Sequence, residues 1–131
     1  MLMTASDYRD SLRSYSPRVF INGNRVESVA DEPLLAPGIN GVGVTYDFAH
    51  LREHKDLMTA EQSTSGRTVN RMLHINTSSD DLLKKLEAVR LVCKVSGCAQ
   101  RYLSHDALNG IYQATYRTDA NHGTDYSQRF L

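Results

Sequence analysis

The segment SSDDLLKKLEAVRLVCKVSG, residues 78–97, decides the fold class of this chain. Its first four residues are helix-capping and acidic types, which satisfy free backbone N–H groups and favour the positive end of a helix dipole. Apolar residues then recur at helical spacing along one stripe. The stripe consists of Leu82, Leu86, Val89 and Cys93. The segment therefore predicts a long helix from Asp80 to about Gly97.

The chain before this segment predicts two shorter helices. Thr4 and Asp7 have the spacing of a capping box, in which each residue satisfies a backbone N–H of the other. The helix that they start ends at Ser16-Pro17, because a residue that precedes proline avoids helical angles. After a loop that contains Pro37, apolar residues at helical spacing predict a second helix from about Asn40 to Leu51.

A β-hairpin is predicted between these two helices. The segments Arg18–Ile21 and Asn24–Val29 favour strands, and they flank Asn22-Gly23, which is the strongest two-residue signal for a hairpin turn. In contrast, the stretch from Glu53 to Asn76 is polar and predicts irregular structure, with a turn at residues 63–66. The front of the chain therefore contains a small amount of β structure.

The last part of the chain predicts further helix. Ser104 or Asp106 can cap a helix that runs through about Tyr116, and a last helical turn is predicted from about Thr124. The expected fold class is mainly α, with a small β-hairpin near residues 18–29. A chain of 131 residues is expected to form one domain, residues 1–131.

Composition excludes several classes of partner. The 15 basic and 15 acidic residues cancel, so no net positive field attracts nucleic acid or an acidic membrane. Tyr112 and Tyr116 are four residues apart without basic residues clustered around them, so they are expected to be packing residues and not to bind bases. No apolar run reaches the ~20 residues of a membrane helix. Two cysteines without an export signal predict free thiols in the cytoplasm.

The sequence His50-Leu51-Arg52-Glu53-His54 matches the H-x-x-E-H pattern of one class of zinc protease. Two histidines four residues apart on a helix can reach one zinc ion, and a glutamate between them can act as a base. No third ligand is evident, however, and the following residues suggest that the helix is ending. The favoured interpretation is a solvated helix end, and a small zinc hydrolase is the alternative.

Glycines are concentrated between Gly38 and Gly43. Glycine-rich loops bind phosphate when their backbone N–H groups converge at a helix N-terminus. The spacing here matches neither the Rossmann nor the Walker pattern, and a single short strand pair precedes it. These glycines are therefore expected to be close-packing or loop positions.

The segment between Cys93 and His105 carries the most distinctive side chains. The two cysteines are separated by about 140° around a helix, so they are not expected to share a metal ion. Cys98 and Tyr102 are four residues apart and would share one helix face, which Arg101 and His105 extend. The alternative is that both thiols are buried and pack as small apolar groups.

Ordered motifs along the whole chain give it a resemblance to a known family. It resembles the 4-hydroxyphenylacetate 3-hydroxylase / 4-hydroxybutyryl-CoA dehydratase family, and it is more similar to the dehydratase branch. The motifs, in chain order, are Leu2–Ala5, Tyr8, Ser11–Arg13, Arg18–Phe20, Tyr46-Asp47, Asp56–Thr59, Gly66–Arg71, Ser79–Leu82, Gln100-Arg101, Asp106–Asn109, Thr115-Tyr116 and Thr124–Tyr126.

The resemblance implies the N-terminal helical domain of an acyl-CoA dehydrogenase-like fold. Family members add a middle β-domain and a C-terminal helical domain, which this chain does not contain, and they usually form tetramers. They bind FAD, and their substrates are an acyl-CoA or a phenol. The isolated chain is therefore expected to contain no catalytic residue, to bind no cofactor, and to need the remaining domains or subunits of a parent enzyme as partners.

In the dehydratase branch the resemblance also implies a [4Fe-4S] cluster with two cysteine ligands in this domain. Cys98 matches the first ligand position, but Tyr102 occupies the second. Either the cluster has been lost, which we favour, or Cys93 replaces the second ligand through a local helix distortion. By the same resemblance, Arg101, Tyr102 and His105 are expected to form a wall of the substrate and flavin site.

Two alternatives remain for the function of the chain. It could belong to a flavin-dependent aromatic monooxygenase of the 4-hydroxyphenylacetate type, in place of an enzyme that dehydrates or isomerises a hydroxyacyl-CoA. It could also be an autonomous module that kept the fold without the chemistry and serves in binding or regulation. Such a module is expected to fold cooperatively as a single species, whereas a severed domain exposes apolar surface and associates.

Overall fold

The computed structural model describes residues 2–98 and 100–130, and these residues are mostly helical. The helices are α1 (Ala5–Arg13), α2 (Ala36–Asp47), α3 (Lys55–Met58), α4 (Ser79–Ser96) and α5 (Gln100–His122). The strands are β1 (Phe20–Ile21), β2 (Asn24–Arg25), β3 (Thr59–Gln62) and β4 (Arg67–Asn70). Short 3-10 turns cover Arg71–Leu73 and Tyr126–Phe130.

The two helices with capping signals begin where the sequence predicts. The Thr4 side chain accepts a hydrogen bond from the Asp7 backbone, and the Asp7 carboxylate accepts one from the Thr4 backbone. Ser78 and Asp81 form the same reciprocal capping box at the start of α4. The C-terminal end of α4 is also confirmed. Gly97 follows the helix with a φ of 66°, which residues other than glycine rarely adopt.

The first hairpin is confirmed, although it is short. Strands β1 and β2 pair in antiparallel register, with Phe20 opposite Arg25. Asn22 and Gly23 both have positive φ, of 51° and 82°, which is the geometry that a type I′ turn requires. One more backbone hydrogen bond, from Val26 to the Val19 carbonyl at 2.9 Å, extends the pairing beyond the strands.

The helix predicted from Asn40 to Leu51 is α2, and it begins and ends four residues earlier. Pro37 lies in its first turn, where a residue without an N–H is tolerated, so the proline belongs to the helix and not to the preceding loop. The glycines 38–43 therefore lie within α2. Gly43 is a close-packing position, because a Cβ there would lie 3.0 Å from the Cβ of Ala5 in α1.

The prediction of irregular structure over residues 53–76 was wrong. This region contains α3 and a second antiparallel hairpin, β3–β4, in which Thr59 pairs with Asn70 and Gln62 with Arg67. Alternation of apolar and polar residues is weak here because Gln62 and Asn70 are themselves buried and satisfied by hydrogen bonds. The predicted turn at residues 63–66 is confirmed, with a positive φ at Gly66.

Helix α5 starts earlier and ends later than predicted. It begins at Gln100, so neither Ser104 nor Asp106 caps it, and it continues past Tyr116 to His122. The tyrosine rings of Tyr112 and Tyr116 stack with centroids 6.3 Å apart, as expected. No helix within the described residues is long and apolar enough to cross a membrane.

The apolar core lies where α4, α3 and the residues after α2 meet. Ala49, Met58, Met72, Ala88 and Val92 form its buried centre, and half-buried side chains such as Phe48 and Leu91 surround it. Several polar side chains are buried beside this core, and they come mainly from the second hairpin, the turn after it, α4 and α5. The chain therefore combines a small apolar core with an unusually polar interior.

Candidate functional site

A small cavity lies at the junction of α2, α4 and α5. Its volume of about 10 Å³ has room for about one water molecule. The residues that line it are Gly41, Thr45, Met72, Val89, Val92, Cys98, Arg101 and Tyr102. Three of the residues singled out from the sequence therefore meet at one place, and they include Cys98, although it precedes α5 and does not share a helix face with Tyr102.

Arg101 is buried in the first turn of α5, against α2. Its Nη1 donates a hydrogen bond to Oγ1 of Thr45 at 2.8 Å. The guanidinium carbon lies 4.5 Å from the centre of the Tyr46 ring, which in turn stacks on Tyr8 with centroids 5.2 Å apart. These contacts orient the guanidinium through one hydroxyl group and one aromatic face.

None of the described carboxylates forms an ion pair with Arg101. Burial lowers the pKa of the Arg101 guanidinium, while the nearby hydroxyls of Tyr46 and Tyr8 act in the opposite direction. A buried cation without an anionic partner is costly, and such a group beside a cavity is a candidate functional residue. Arg101 is therefore the residue of this cavity with the clearest capacity to bind an anion or a developing negative charge.

Tyr102 belongs to a cluster with Lys85 and Asp106. Lys85 is only 7% exposed, and its Nζ donates to Oδ1 of Asp106 at 2.8 Å. The same Nζ lies 4.9 Å from the centre of the Tyr102 ring. The hydrogen bond from Lys85 lowers the pKa of Asp106, and the Tyr102 side chain adds to this effect. The tyrosine ring is thus held in place by an ion pair that joins α4 to α5.

His105 lies one turn further along α5, and it does not line the cavity. It is fully buried, and its Nε2 faces the amide nitrogens of Asn76 at 3.0 Å and Asn109 at 3.4 Å. Because both neighbours are hydrogen-bond donors, Nε2 acts as the acceptor and Nδ1 carries the hydrogen. Nδ1 has no hydrogen-bond partner among the described residues. The sequence predicts that His105 continues the wall formed by Arg101 and Tyr102. In the structure its imidazole is buried and does not line the cavity.

Burial lowers the pKa of His105, with Lys85 and His74 acting in the same direction. Asp106 acts in the opposite direction, as does the backbone of Met72, which makes no hydrogen bond of normal geometry to Nδ1. The folded protein therefore resists protonation of this ring at a pH where the unfolded chain accepts a proton.

We expect the free energy of unfolding to fall as the pH drops below about 6.5, the ordinary pKa of histidine. The slope should approach about 1.4 kcal/mol per pH unit, the value for one proton. Urea unfolding at several pH values between 7.5 and 5 measures this dependence of the free energy of unfolding on pH. The variant His105→Gln should remove most of the slope. The exposed His122 provides the control variant, His122→Gln, which should leave the slope unchanged. An unchanged slope in His105→Gln would contradict this assignment.

A second polar cluster, which the sequence did not reveal, ties the second hairpin to α4. The buried Arg71 donates through Nε to the Leu57 carbonyl and through Nη2 to the Thr59 carbonyl, both at 2.6 Å. Its Nη1 lies 3.7 Å from Oδ1 of Asp81, and Nε2 of His74 lies 3.3 Å from the same oxygen. These partners are far apart in sequence and follow no periodicity, so no local signal indicates them.

Asp81 therefore has two structural roles. Burial acts to raise its pKa, but hydrogen bonds from the Thr77 backbone and the Ser78 side chain outweigh burial and hold the pKa at about 2. The carboxylate stays ionised, so it can cap α4 and face the Arg71 guanidinium at once. This cluster is structural and lies apart from the cavity lining.

The zinc alternative was wrong. His50 and His54 both follow the end of α2, so they do not lie one turn apart on a helix. Nε2 of His50 is 3.1 Å from the Met3 carbonyl, and the His54 ring packs against Phe48 with centroids 4.8 Å apart. Among residues 2–98 and 100–130, no group of three or more His, Cys, Asp or Glu side chains could hold a metal ion.

The donor set at the cavity does not fit a [4Fe-4S] cluster, which thiolates normally hold. Cys98 supplies one thiol, and both Cys98 and Cys93 are free. The second position carries the Tyr102 ring, which is already packed over Lys85. The volume of the cavity is also far below that of a small-molecule site, so the cavity itself has no room for a cluster or a flavin.

Comparisons with known proteins agree with the fold. Residues 4–131 match the family model described as the 4-hydroxyphenylacetate 3-hydroxylase N terminal. The chain is 40% identical over 131 residues to the 4-hydroxybutyryl-CoA dehydratase/vinylacetyl-CoA-Delta-isomerase of Clostridium aminobutyricum, an alignment that covers 99% of this chain and 27% of that protein. It is also 33% identical over 88 residues to the pyoverdin chromophore biosynthetic protein PvcC of Pseudomonas aeruginosa, covering 67% of this chain and 17% of that protein.

Solved structures give the same result. An oxygen-tolerant archaeal 4-hydroxybutyryl-CoA dehydratase from N. maritimus superposes with a TM-score of 0.89 and 37% identity, covering 99% of this chain and 26% of that one. The oxygenase component of 4-hydroxyphenylacetate 3-monooxygenase, complexed with FAD and 4-hydroxyphenylacetate, superposes with a TM-score of 0.59 and 21% identity, covering 70% and 19%. The predicted fold class is confirmed. The chain spans about a quarter of the length of the dehydratases that it matches.

Proposed function

Because this chain belongs to the 4-hydroxyphenylacetate 3-hydroxylase N-terminal family, we propose that it is the N-terminal helical domain of a longer flavin-dependent enzyme. The enzyme would dehydrate or isomerise a hydroxyacyl-CoA. The observation that carries this proposal is the 40% identity to a 4-hydroxybutyryl-CoA dehydratase over the whole chain. Residues 1–131 form one domain in this proposal, and a middle β-domain and a C-terminal helical domain come from the rest of the enzyme.

The role of this domain is to form one wall of the substrate and flavin site. Arg101 and Tyr102 would face that site, because they line the cavity at the junction of α2, α4 and α5. Arg101 would stabilise negative charge, since it carries a buried positive charge with no carboxylate partner among the described residues. His105 would support the wall from behind. In this proposal the domain supplies no general acid, general base or nucleophile, and it is inactive alone.

FAD would bind mainly to the rest of the enzyme, where it would supply the redox chemistry. The cavity has room for about one water molecule, so this chain could contact a flavin from one side only. We propose no iron–sulfur cluster, because Tyr102 occupies the second ligand position and packs over Lys85. The free thiols of Cys93 and Cys98 support a reducing compartment, the cytoplasm.

A flavin-dependent aromatic monooxygenase is the second candidate, and Tyr102 is the observation that favours it. An enzyme without a cluster lacks a group that the dehydratase branch is expected to need. The oxygenase component of 4-hydroxyphenylacetate 3-monooxygenase shares the fold, and it has been solved with FAD and 4-hydroxyphenylacetate. In this second candidate Arg101 would stabilise the negative charge of a phenolate.

The test is to express the longer polypeptide encoded around this sequence in its native genome, and to record its absorption spectrum, iron content and sulfide content. We expect flavin absorption bands with no stoichiometric iron. Activity assays with 4-hydroxybutyryl-CoA and with 4-hydroxyphenylacetate plus reduced flavin then distinguish the two candidates. A brown protein with four iron atoms per chain would overturn the assignment of Tyr102.

A different result would overturn the proposal as a whole. If the native genome encodes no adjacent β-domain, and the 131-residue chain is a single species that unfolds cooperatively, the chain is an autonomous binding or regulatory module. Turnover of an acyl-CoA or a phenol by the 131-residue chain alone, with flavin supplied, would contradict the proposal that the catalytic residues lie elsewhere.

A further inference from the structure

Helix α4 departs from the usual amphipathic arrangement, because it buries one lysine and exposes three leucines. Lys85 points inward and is 7% exposed, and it lies on the buried side together with Ala88 and Val92. Three leucines point outward instead, with exposed fractions between 43% and 62%. These residues, Leu82, Leu83 and Leu86, are called here the outer leucine face.

A helix at the surface of an isolated domain normally buries its leucines and exposes its lysines. Two contacts fix the orientation of α4 in which Lys85 is buried and the outer leucine face is exposed. Asp81 faces Arg71 and His74 on the inner side, and Lys85 bonds to Asp106 on α5. A rotation of the helix that buried the leucines would break both contacts, so the exposure of the outer leucine face is a fixed property of the fold.

Helix α5 also exposes large apolar side chains, so this feature is not confined to α4. Its buried side carries Arg101 and His105, whereas Leu103 is 72% exposed and Ile111 is also exposed. Each helix therefore buries at least one cationic side chain and exposes large apolar ones, although Leu91 and Leu108 are half-buried. Apolar side chains that cluster at a surface mark an interaction site, and none of the three leucines lines the candidate cavity.

We propose that the outer leucine face is the docking surface for an apolar part of the same polypeptide outside residues 1–131. This inference rests on the proposed function. The length of the relatives supports this occupant, because the matched region makes up only 27% and 26% of the two dehydratase chains. The remaining part must contact this domain somewhere if it completes a site at Arg101 and Tyr102. An apolar contact at the outer leucine face would not cover Arg101 and Tyr102, which line the cavity with residues outside that face.

The experiment introduces Leu83→Glu with Leu86→Glu in the longer polypeptide and in the 131-residue chain. The control is Ser63→Glu with Ser65→Glu, which adds the same charge in the exposed β3–β4 turn. In the longer polypeptide the leucine variant should lower the melting temperature by about 10 °C or more and release this domain to limited proteolysis, because buried carboxylates are costly. In the 131-residue chain the same variant should shift the melting temperature by less than about 2 °C.

The outcomes separate this inference from the proposed function. If the longer polypeptide binds flavin but the leucine variant melts like the control, the outer leucine face is exposed and only this inference fails. If the 131-residue chain forms a dimer that Leu83→Glu with Leu86→Glu abolishes, while the longer polypeptide is unaffected, the occupant is a second copy and the inference is overturned. If no longer polypeptide is encoded, both fail.

Discussion

Replacement of Arg71 by alanine is expected to destabilise the chain by about 3–5 kcal/mol, a large part of the stability of a small domain. The guanidinium bonds to the Leu57 and Thr59 carbonyls, and Asp81 neutralises its charge. Alanine leaves two half-buried carbonyls without a donor and removes the buried cation that faces the half-buried Asp81 carboxylate. The hairpin β3–β4 and the first turn of α4 lose their common anchor.

Thermal and urea unfolding measure this effect, with an expected fall in melting temperature of about 10 °C or more. Arg71→Lys should recover little of the stability, because a single ammonium group cannot reproduce the planar fork that reaches both carbonyls. The control is Arg90→Ala at an exposed position of the neighbouring helix, with an expected change of less than about 0.5 kcal/mol. A loss below about 1 kcal/mol in Arg71→Ala would show that the cluster contributes little.

Replacement of Arg101 by methionine is expected to have the opposite effect on stability and a large effect on activity. Arg101 is also buried, but no carboxylate among the described residues faces it. Its buried charge therefore lowers the free energy of unfolding. Methionine keeps most of the side-chain volume and can pack on the Tyr46 ring. We expect the free energy of unfolding to stay the same or rise by about 1 kcal/mol, as often occurs when a functional residue is replaced.

In the longer enzyme that we propose, the same variant should reduce kcat/KM by about 100-fold or more, because a buried cation that stabilises developing charge is lost. Arg101→Lys should recover part of the activity. The control is Arg117→Met, an exposed arginine of the same helix, which should retain full activity. If Arg101→Met loses more than about 2 kcal/mol of stability and keeps its activity, Arg101 is a structural residue.

Elements with local signals could be predicted from the sequence, and elements held by distant contacts could not. Thr4 with Asp7, Asn22-Gly23 and Ser78 with Asp81 each determine a cap or a turn within four residues. The second hairpin lacks such a pattern, because its buried residues are polar and find their partners elsewhere. Gln62, for example, is satisfied by Nδ1 of His74 at 2.7 Å and by the Ile75 N–H.

The same division applies to the candidate site. The short spacing between Cys98, Arg101 and Tyr102 indicated that they would lie together, and they line one cavity. The contact between His105 and Asn76 joins α5 to a residue that precedes α4 in the chain, so no spacing within α5 could reveal it. The roles of these residues in a wall of the substrate and flavin site stay a prediction.

The double role of Asp81 has a consequence for how the chain unfolds. One carboxylate holds the N-terminus of α4 and faces the arginine that fastens β3 to α3, so the opening of either element separates the Arg71–Asp81 pair. The hairpin and the first turn of α4 should therefore form a single cooperative unit, and their amide hydrogens should exchange with solvent at matching rates. Two segments that look independent along the chain would share one opening event.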